Sequence, residues 1–287
     1  MNDRIEVRKT YKMFVNGAFI RSESGRSYEV QDADSKFLAN VALCTRKDAR
    51  DAVVAARAGQ AAWAKATAYN RGQVMYRIAE VMESRRAQFE DELRTAEGFS
   101  DKKARKTVSA AIDRVVWFAG WTDKLSALLG STNPVAGPFF NFSTPEPTGV
   151  IAIVAPQSDS LLGLVSVIAP AIASGNSVVV IANYHHPLTA VTFSEVLATS
   201  DVPAGVVNIL TGDFNDVAGW LAEHEDVNAI DLAGVFVADR ARELEAQAAV
   251  NLKRVARPVS VDWIEKPDVQ RMKQWTELKT VWHPQGF

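Results

Sequence analysis

The sequence predicts an α/β protein in which a parallel sheet with flanking helices is joined by an extended β segment. Three observations predict it. Short runs of strand-forming residues at Val150 to Val154, Ser177 to Ala182 and Val206 to Leu210 are separated by two apolar segments of helical length, the signature of right-handed strand–helix–strand crossovers. A helical stretch from Asp216 to His224 then leads into a fourth run, Val227 to Leu232. Finally, Gly130 to Pro147 is rich in Gly, Pro, Ser and Thr around Phe139, Phe140 and Phe142, which reads as an extended segment leaving the domain body. Ligands of such sheets lie beyond the carboxyl ends of the strands, so the informative residues are Pro156 to Ser160, Asn183 to His186 and Thr211 to Phe214.

The remaining elements follow in order. Asn16-Gly17 between the apolar runs of Met13 to Ile20 is a hairpin signal, and Ser27 to Gln31 with Leu38 to Leu43 reads as a second strand pair. Thr45 stands where a helix N-cap would, with Asp48 as its acidic partner and Ala49, Ala52, Val53 and Ala56 at helical spacing as far as Trp63. The next helix spans Ala68 to Ala96, interrupted near Arg85 and ended by Gly98, and another spans Lys103 to Leu129. Trp117, Phe118 and Trp121 on the latter resemble a stacking surface, but at that spacing they read as core. Asp239 to Val250 is helical, the pattern loosens beyond Asn251, and Leu278 to Trp282 is a last strand stopped by Pro284.

Bulk composition narrows the function classes. The chain has 287 residues, 47% hydrophobic and 23% charged, with a net charge of −2, which argues against a nucleic-acid or membrane surface. The basic run Lys102 to Lys106 has acidic neighbours and reads as a solvated helix start. A single cysteine, Cys44, excludes an internal disulfide and a multi-cysteine metal site, and no metal is expected. The N-terminus has no signal-peptide character and no run is long enough to span a membrane, so the expected location is the cytoplasm.

Several stretches carry a resemblance. MFVNGAFI, SGRSYEVQDADS, the helical region DARDAVVAARAGQAAWAKATAYNRGQVMYRIAEVME, WFAGWTDK, EPTGVIAIVAP, IAPAIASGNSVVV, PLTAVTFSEVL and PAGVVNILTG, in this order, resemble the N-terminal, cofactor-binding part of the aldehyde dehydrogenase superfamily over residues 13 to about 234. The terminal WTELKTVWHP is similar to that family's last strand, which joins an oligomerisation sheet. The resemblance implies a Rossmann-like domain over 1–250, with an extended interface segment 130–148, and a tail 251–287 carrying an oligomerisation strand 278–282.

The chemistry that the resemblance implies is poorly matched. Aldehyde oxidation needs a cysteine thiolate, and Cys44 matches no nucleophile position. The asparagine that holds the oxyanion falls on Ser158, whose hydroxyl has one proton to donate, with Asp159 beside it. The lysine and glutamate that contact the adenosine ribose become Ile181 and Tyr184, and in the turn after the fourth strand Gly234 is kept while Val235 replaces a serine. The family's general-base glutamate and its second domain, of about 200 residues on the scale of a typical domain, are expected to be absent. A Ser158, His185 and Asp159 triad lacks a nucleophile elbow, and the adjacent His185 and His186 are poor joint metal ligands.

The expectation is therefore a non-catalytic homologue that acts as a structural or regulatory subunit and resembles the catalytically silent second domain of tandem aldehyde dehydrogenases. It would form a homo-oligomer, or a hetero-oligomer with a full-length relative, through Phe139, Phe140, Phe142, Leu278, Val281 and Trp282. Ala155, Pro156, Ser158, Ile181, Tyr184, Gly212, Phe214, Gly234 and Val235 would line a degenerate cofactor cleft, with no cofactor expected and NAD or NADP as the alternative. Two other functions compete with this one. The chain could contribute a cofactor site that a partner's catalytic domain completes, or it could sense a small molecule in the old cleft by stacking on Tyr184 and Phe214.

Overall fold

A computed structural model describes residues 8–258 and 260–286. The chain opens with β1 (Thr10–Tyr11), β2 (Met13–Val15), β3 (Ala18–Ile20), β4 (Ser27–Gln31) and β5 (Phe37–Ala42). Asn16 (φ 53°) and Gly17 (φ 74°) supply the two left-handed residues that a tight β2–β3 turn requires. Helix α1 (Arg46–Lys65) starts from a reciprocal cap: the Thr45 hydroxyl accepts from Asp48 N–H at 3.3 Å, and the Asp48 carboxylate accepts from Thr45 N–H at 2.8 Å.

Helices α2 (Ala68–Ser84) and α3 (Arg86–Glu97) meet at Arg85, and Gly98 (φ 65°) closes α3 in the left-handed region. The single helix expected from 103 to 129 is instead two, α4 (Asp101–Ala119) and α5 (Leu125–Leu129). The break is a packed one. Thr122 Oγ1 donates to Ala119 O at 2.9 Å, and Gly72 of α2 lies so close that a Cβ there would stand 2.8 Å from that hydroxyl oxygen.

Then come β6 (Ser131–Asn133), β7 (Phe139–Pro147), β8 (Val150–Val154), α6 (Leu162–Ala173), β9 (Ser177–Ile181), α7 (Leu188–Ala198), β10 (Val207–Leu210), α8 (Phe214–Glu223), β11 (Ala229–Asp231) and α9 (Ala238–Ala248). The chain continues through β12 (Arg254–Ala256) and α10 (Gln270–Lys273) to β13 (Thr276–Pro284). The main sheet has the order β12-β11-β8-β9-β10-β2-β3 and is parallel from β12 to β10, with the β2–β3 hairpin added antiparallel at one edge.

Alternation along the strands splits the core in two. Ile151, Ile153, Val178 and Val180 face α2, α4, α6 and α7, while Val150, Ala152, Val154, Val179 and Ile181 face α1, α8 and α9. Every residue of α6 is buried because that helix lies between the sheet and α4, which explains why it is apolar on all sides. Trp117, Phe118 and Trp121 belong to this layer: Phe118 is buried, and the two tryptophans are half-buried against the same cluster.

The extended segment expected at 130–148 forms β6 and β7. Its partner is the chain's own β13, which pairs with β7 along all nine residues, in the order β13-β7-β6. The segment from 257 to 275, where the sequence pattern loosens, is also packed. Trp263, Met272 and Trp275 are buried in the core, and Arg114 of α4 donates to Trp263 O at 2.6 Å, Glu265 O at 2.7 Å and Ser166 Oγ at 2.8 Å.

Candidate functional site at the strand ends

The loops after β8 and β9 are stitched together by two amide side chains. Gln157 Nε2 donates to Ala155 O at 2.7 Å while its Oε1 accepts from Tyr184 N–H at 3.0 Å. Asn183 Nδ2 reaches Gln157 O at 2.8 Å, and its Oδ1 accepts from His186 N–H at 2.9 Å. Sequence reading gives neither residue a role, since the contacts that join the two loops link residues 26 or 27 positions apart and nothing local announces them.

Tyr184 packs flat on Tyr28 of β4, ring centroids 4.8 Å apart at 9°, and the Tyr28 hydroxyl donates to Tyr184 O at 3.1 Å. Burial first, then the neighbouring Tyr184, pushes the Tyr28 phenol above its ordinary range. Beside the stack lies a cavity of about 280 Å³ bordered by His185, His186 and Asp32. The two imidazole rings stand 6.4 Å apart, and burial, with His185 second, lowers the pKa of His186. Among the described residues no group of three or more His, Cys, Asp or Glu is placed to hold a metal.

After β8, Ser158 is exposed, while Ala155 and Pro156 are buried. The Asp159 carboxylate accepts from Gly163 N–H at 2.9 Å and from the amides of Leu161 and Leu162, so it caps the start of α6. Desolvation nevertheless keeps its pKa above the usual carboxylate range. A carboxylate engaged in this way does not orient a histidine, and no hydrogen bond joins Ser158, Asp159 and His185 among the described residues.

Cys44 is 3% exposed and lies against Gly212 after β10, where an added Cβ would stand 3.1 Å from the sulfur. Its N–H donates to Thr211 O at 2.9 Å. Burial, reinforced by Asp48 and Asp216, pushes the thiol up to about 12, so it is held as an apolar filler and not as a thiolate.

A dinucleotide held as the family resemblance implies needs polar contacts at 181 and 184 and free amides near 234. Ile181 and Val235 are fully buried in the core facing α1, α8 and α9. Gly234 N–H donates to Val154 O at 2.9 Å, and Val235 N–H to Leu232 O at 2.8 Å. Gly234 is glycine because a Cβ would run into Ala155 O, so close strand packing accounts for it without a phosphate. Asp239 places a negative charge in the first turn of α9, which has no side-chain cap, and Phe214 is half-buried against the core. These residues do not fit the ribose and pyrophosphate of a dinucleotide bound in that manner.

After β12, a strand that the sequence pattern hides, come Arg257 and Pro258, and no glutamate stands there to act as general base. The connection from β12 to β13 runs only from 257 to 275. Among the described residues no helix is long and apolar enough to cross a membrane.

Architecture and strand-end loops together define an α/β protein of the Rossmann-like, NAD-binding class of folds. Residues 19–258 match the model of the aldehyde dehydrogenase family, and the chain belongs to that family. It is 34% identical to cytosolic 10-formyltetrahydrofolate dehydrogenase of Xenopus tropicalis over 244 residues, covering 81% of this chain and 26% of the relative. It is 35% identical to 2-hydroxymuconic semialdehyde dehydrogenase of Pseudomonas sp. (strain CF600) over 236 residues, covering 79% of this chain and 48% of the relative. Thus the chain spans a quarter to a half of the length of these relatives. Among solved structures, the NAD+ complex of an aldehyde dehydrogenase from Bacillus cereus superposes with a TM-score of 0.81 at 25% identity, covering 86% of this chain and 50% of that one. HpcC from Thermus thermophilus does so with a TM-score of 0.81 at 26% identity, covering 86% and 47%.

Proposed function

We propose that the chain is a non-catalytic member of the aldehyde dehydrogenase family, a pseudoenzyme that works in the cytoplasm as a structural or regulatory subunit. The observation that carries this reading is the connection 257–275. Where the family resemblance implies the general base and a second domain, the chain turns back through a short packed segment and goes directly to β13. The only thiol is buried and protonated, which agrees.

Association is assigned to the β13 side of the small sheet. Its outer edge carries unpaired backbone groups, with Leu278 and Trp282 exposed. The six candidate contact residues divide by register between two faces: Phe140, Phe142 and Val281 on one, Phe139, Leu278 and Trp282 on the other. The partner is a second copy or a full-length aldehyde dehydrogenase. Light scattering on the purified chain, alone and co-expressed with such a relative, tests this. A stable dimer or a co-eluting complex that Leu278→Asp with Trp282→Asp dissociates is expected, and a monomer that captures no relative overturns the reading.

A second reading, a subunit that lends a cofactor site to a partner, draws its support from the NAD+ bound in the Bacillus cereus neighbour. It requires heat on titration of the isolated chain with NAD+ or NADP+. The misfit at Ile181, Tyr184 and Val235 predicts none at millimolar ligand.

A further inference from the structure

The outer edge of β13 is the one long sheet edge left open among the described residues. The other edge strands, β1, β3, β4, β6 and β12, have two to five residues each, whereas β13 has nine. A short edge gives a second chain little to pair with, and a long one is a template for strand addition. This edge is also bare: from Glu277 to Pro284 every residue is exposed except the half-buried Val281. Its carboxylate and its ammonium are committed within the chain, Glu277 to Arg254 at 3.4 Å and Lys279 to Glu146 at 3.1 Å.

Which backbone groups of the edge are free follows from the ladder with β7. In an antiparallel pair, alternate residues turn both N–H and C=O toward the neighbour, and the rest turn both away. Just beyond the paired ends, Gln285 N–H donates to Pro138 O at 2.7 Å, and Thr148 N–H donates to Trp275 O at 3.2 Å. Odd-numbered residues of β13 therefore bond to β7, while Leu278, Thr280 and Trp282 present N–H and C=O outward. Pro145 of β7, which has no N–H to give, stands opposite Leu278, where the ladder needs none.

These three residues are symmetric about Thr280, so the edge can pair with itself. A two-fold axis at Thr280 sets Thr280 against its own copy and Leu278 against Trp282 of the second copy, and each of their outward N–H groups meets a C=O. All nine residues overlap, with Pro284 at the ends. On one face Leu278 packs on the indole of the second copy, beside Phe139, whose ring is already edge-on to Trp282 at 5.7 Å. On the other face Glu277 stands opposite His283 and Lys279 opposite Val281, so no two like charges are opposed.

Neighbouring registers lose one of these features. An axis at Lys279 opposes the two lysines, and one at Leu278 leaves Trp282 beyond the overlap. An axis at Val281 sets Leu278 against Pro284, which has no N–H, and an axis between two residues opposes outward groups to inward ones. We propose that two copies of this chain join edge to edge through β13, antiparallel about Thr280, so that the two small sheets become one. The inference rests on the association reading above and specifies its partner and register.

Disulfide trapping reads the register, because the native Cys44 is buried. Thr280→Cys is expected to give a covalent dimer on mild oxidation with diamide, since facing Cα atoms about 5.5 Å apart are within disulfide reach. Leu278→Cys alone and Trp282→Cys alone should give none, their copies being offset by about 14 Å along the strands, whereas the two mixed should cross-link to each other. Thr280→Pro removes an N–H that β7 does not use, so it should leave the circular dichroism spectrum unchanged and abolish the dimer in light scattering. Failure of Thr280→Cys to cross-link, or equal trapping at all three positions, overturns the proposal. If the unsubstituted chain then still forms a dimer that Leu278→Asp with Trp282→Asp dissociates, or captures only a full-length relative, the association reading stands and the register falls. A monomer that captures nothing removes both.

Discussion

Asp231, at the carboxyl end of β11 and 1% exposed in its side chain, is paired with Arg271 of α10 at 3.2 Å. The pair pins the 257–275 connection to the sheet. Burial pushes the Asp231 carboxyl up more than Arg271 pulls it down, so the ion pair sits in a site that penalises an unmatched charge. Arg271→Ala is expected to cost about 3–5 kcal/mol at neutral pH, as for removal of one member of a buried pair. With the folded carboxyl pKa raised further, the loss should grow as pH rises above the ordinary carboxylate range and shrink as Asp231 takes up a proton. Urea unfolding at several pH values measures both the loss and its slope.

A second pH dependence comes from α3. Glu92 accepts from Thr192 Oγ1 of α7 and from Gln88 Nε2, with Glu195 and Asp91 nearby, and Glu97 accepts from Ser160 Oγ, with Asp159 and Lys103 nearby. Burial is the largest cause in each case and raises both carboxyls from 4.5 to about 7. An acid whose folded pKa is raised favours the fold while protonated. Their contribution is therefore complete below 4.5 and is lost as pH rises towards 7. Glu92→Gln with Glu97→Gln should flatten the stability profile between those limits and raise stability by up to about 3 kcal/mol per site at alkaline pH. A profile unchanged by the pair of substitutions would contradict this.

Cys44 should be chemically silent. With its thiol pushed up to about 12 and 3% exposed, the native chain should react with iodoacetamide at least about a thousandfold more slowly than a free cysteine. Full labelling should appear once denaturant unfolds the chain. Mass spectrometry after timed alkylation gives the answer directly.

Gly234 separates a packing role from a ligand role. Because a Cβ there would meet Ala155 O, Gly234→Ala is expected to lose about 2–4 kcal/mol of stability with no ligand present, through forced separation of the β8 and β11 ends. A variant of unchanged stability would mean that the glycine serves something other than this contact.

Much of the fold is legible in the sequence where one local rule decides. Asn16-Gly17, Thr45 with Asp48, and the alternation of β8 and β9 each specify their geometry within a few residues. The 257–275 connection is not legible, because its burial rests on Trp263, Met272 and Trp275 at irregular spacing and on two arginines whose partners lie far away in the chain. The extended segment is legible as strand but not in its pairing: β7 and β13 each look unpartnered until they are placed side by side. At the candidate site the sequence names the substituted positions. The Gln157 and Asn183 stitches and the Tyr28 stack depend on which loops meet, and only the fold supplies that.

The short route from β12 to β13 also bears on how the chain folds. Closing a loop through residues 257–275, in place of one that includes a domain of about 200 residues, lowers the entropic cost of closure by about 2 kcal/mol on the logarithmic scaling of loop length. The sheet edge and the small β7–β13 sheet can thus come together early, without waiting for a distant and separately folding body to be synthesised between them.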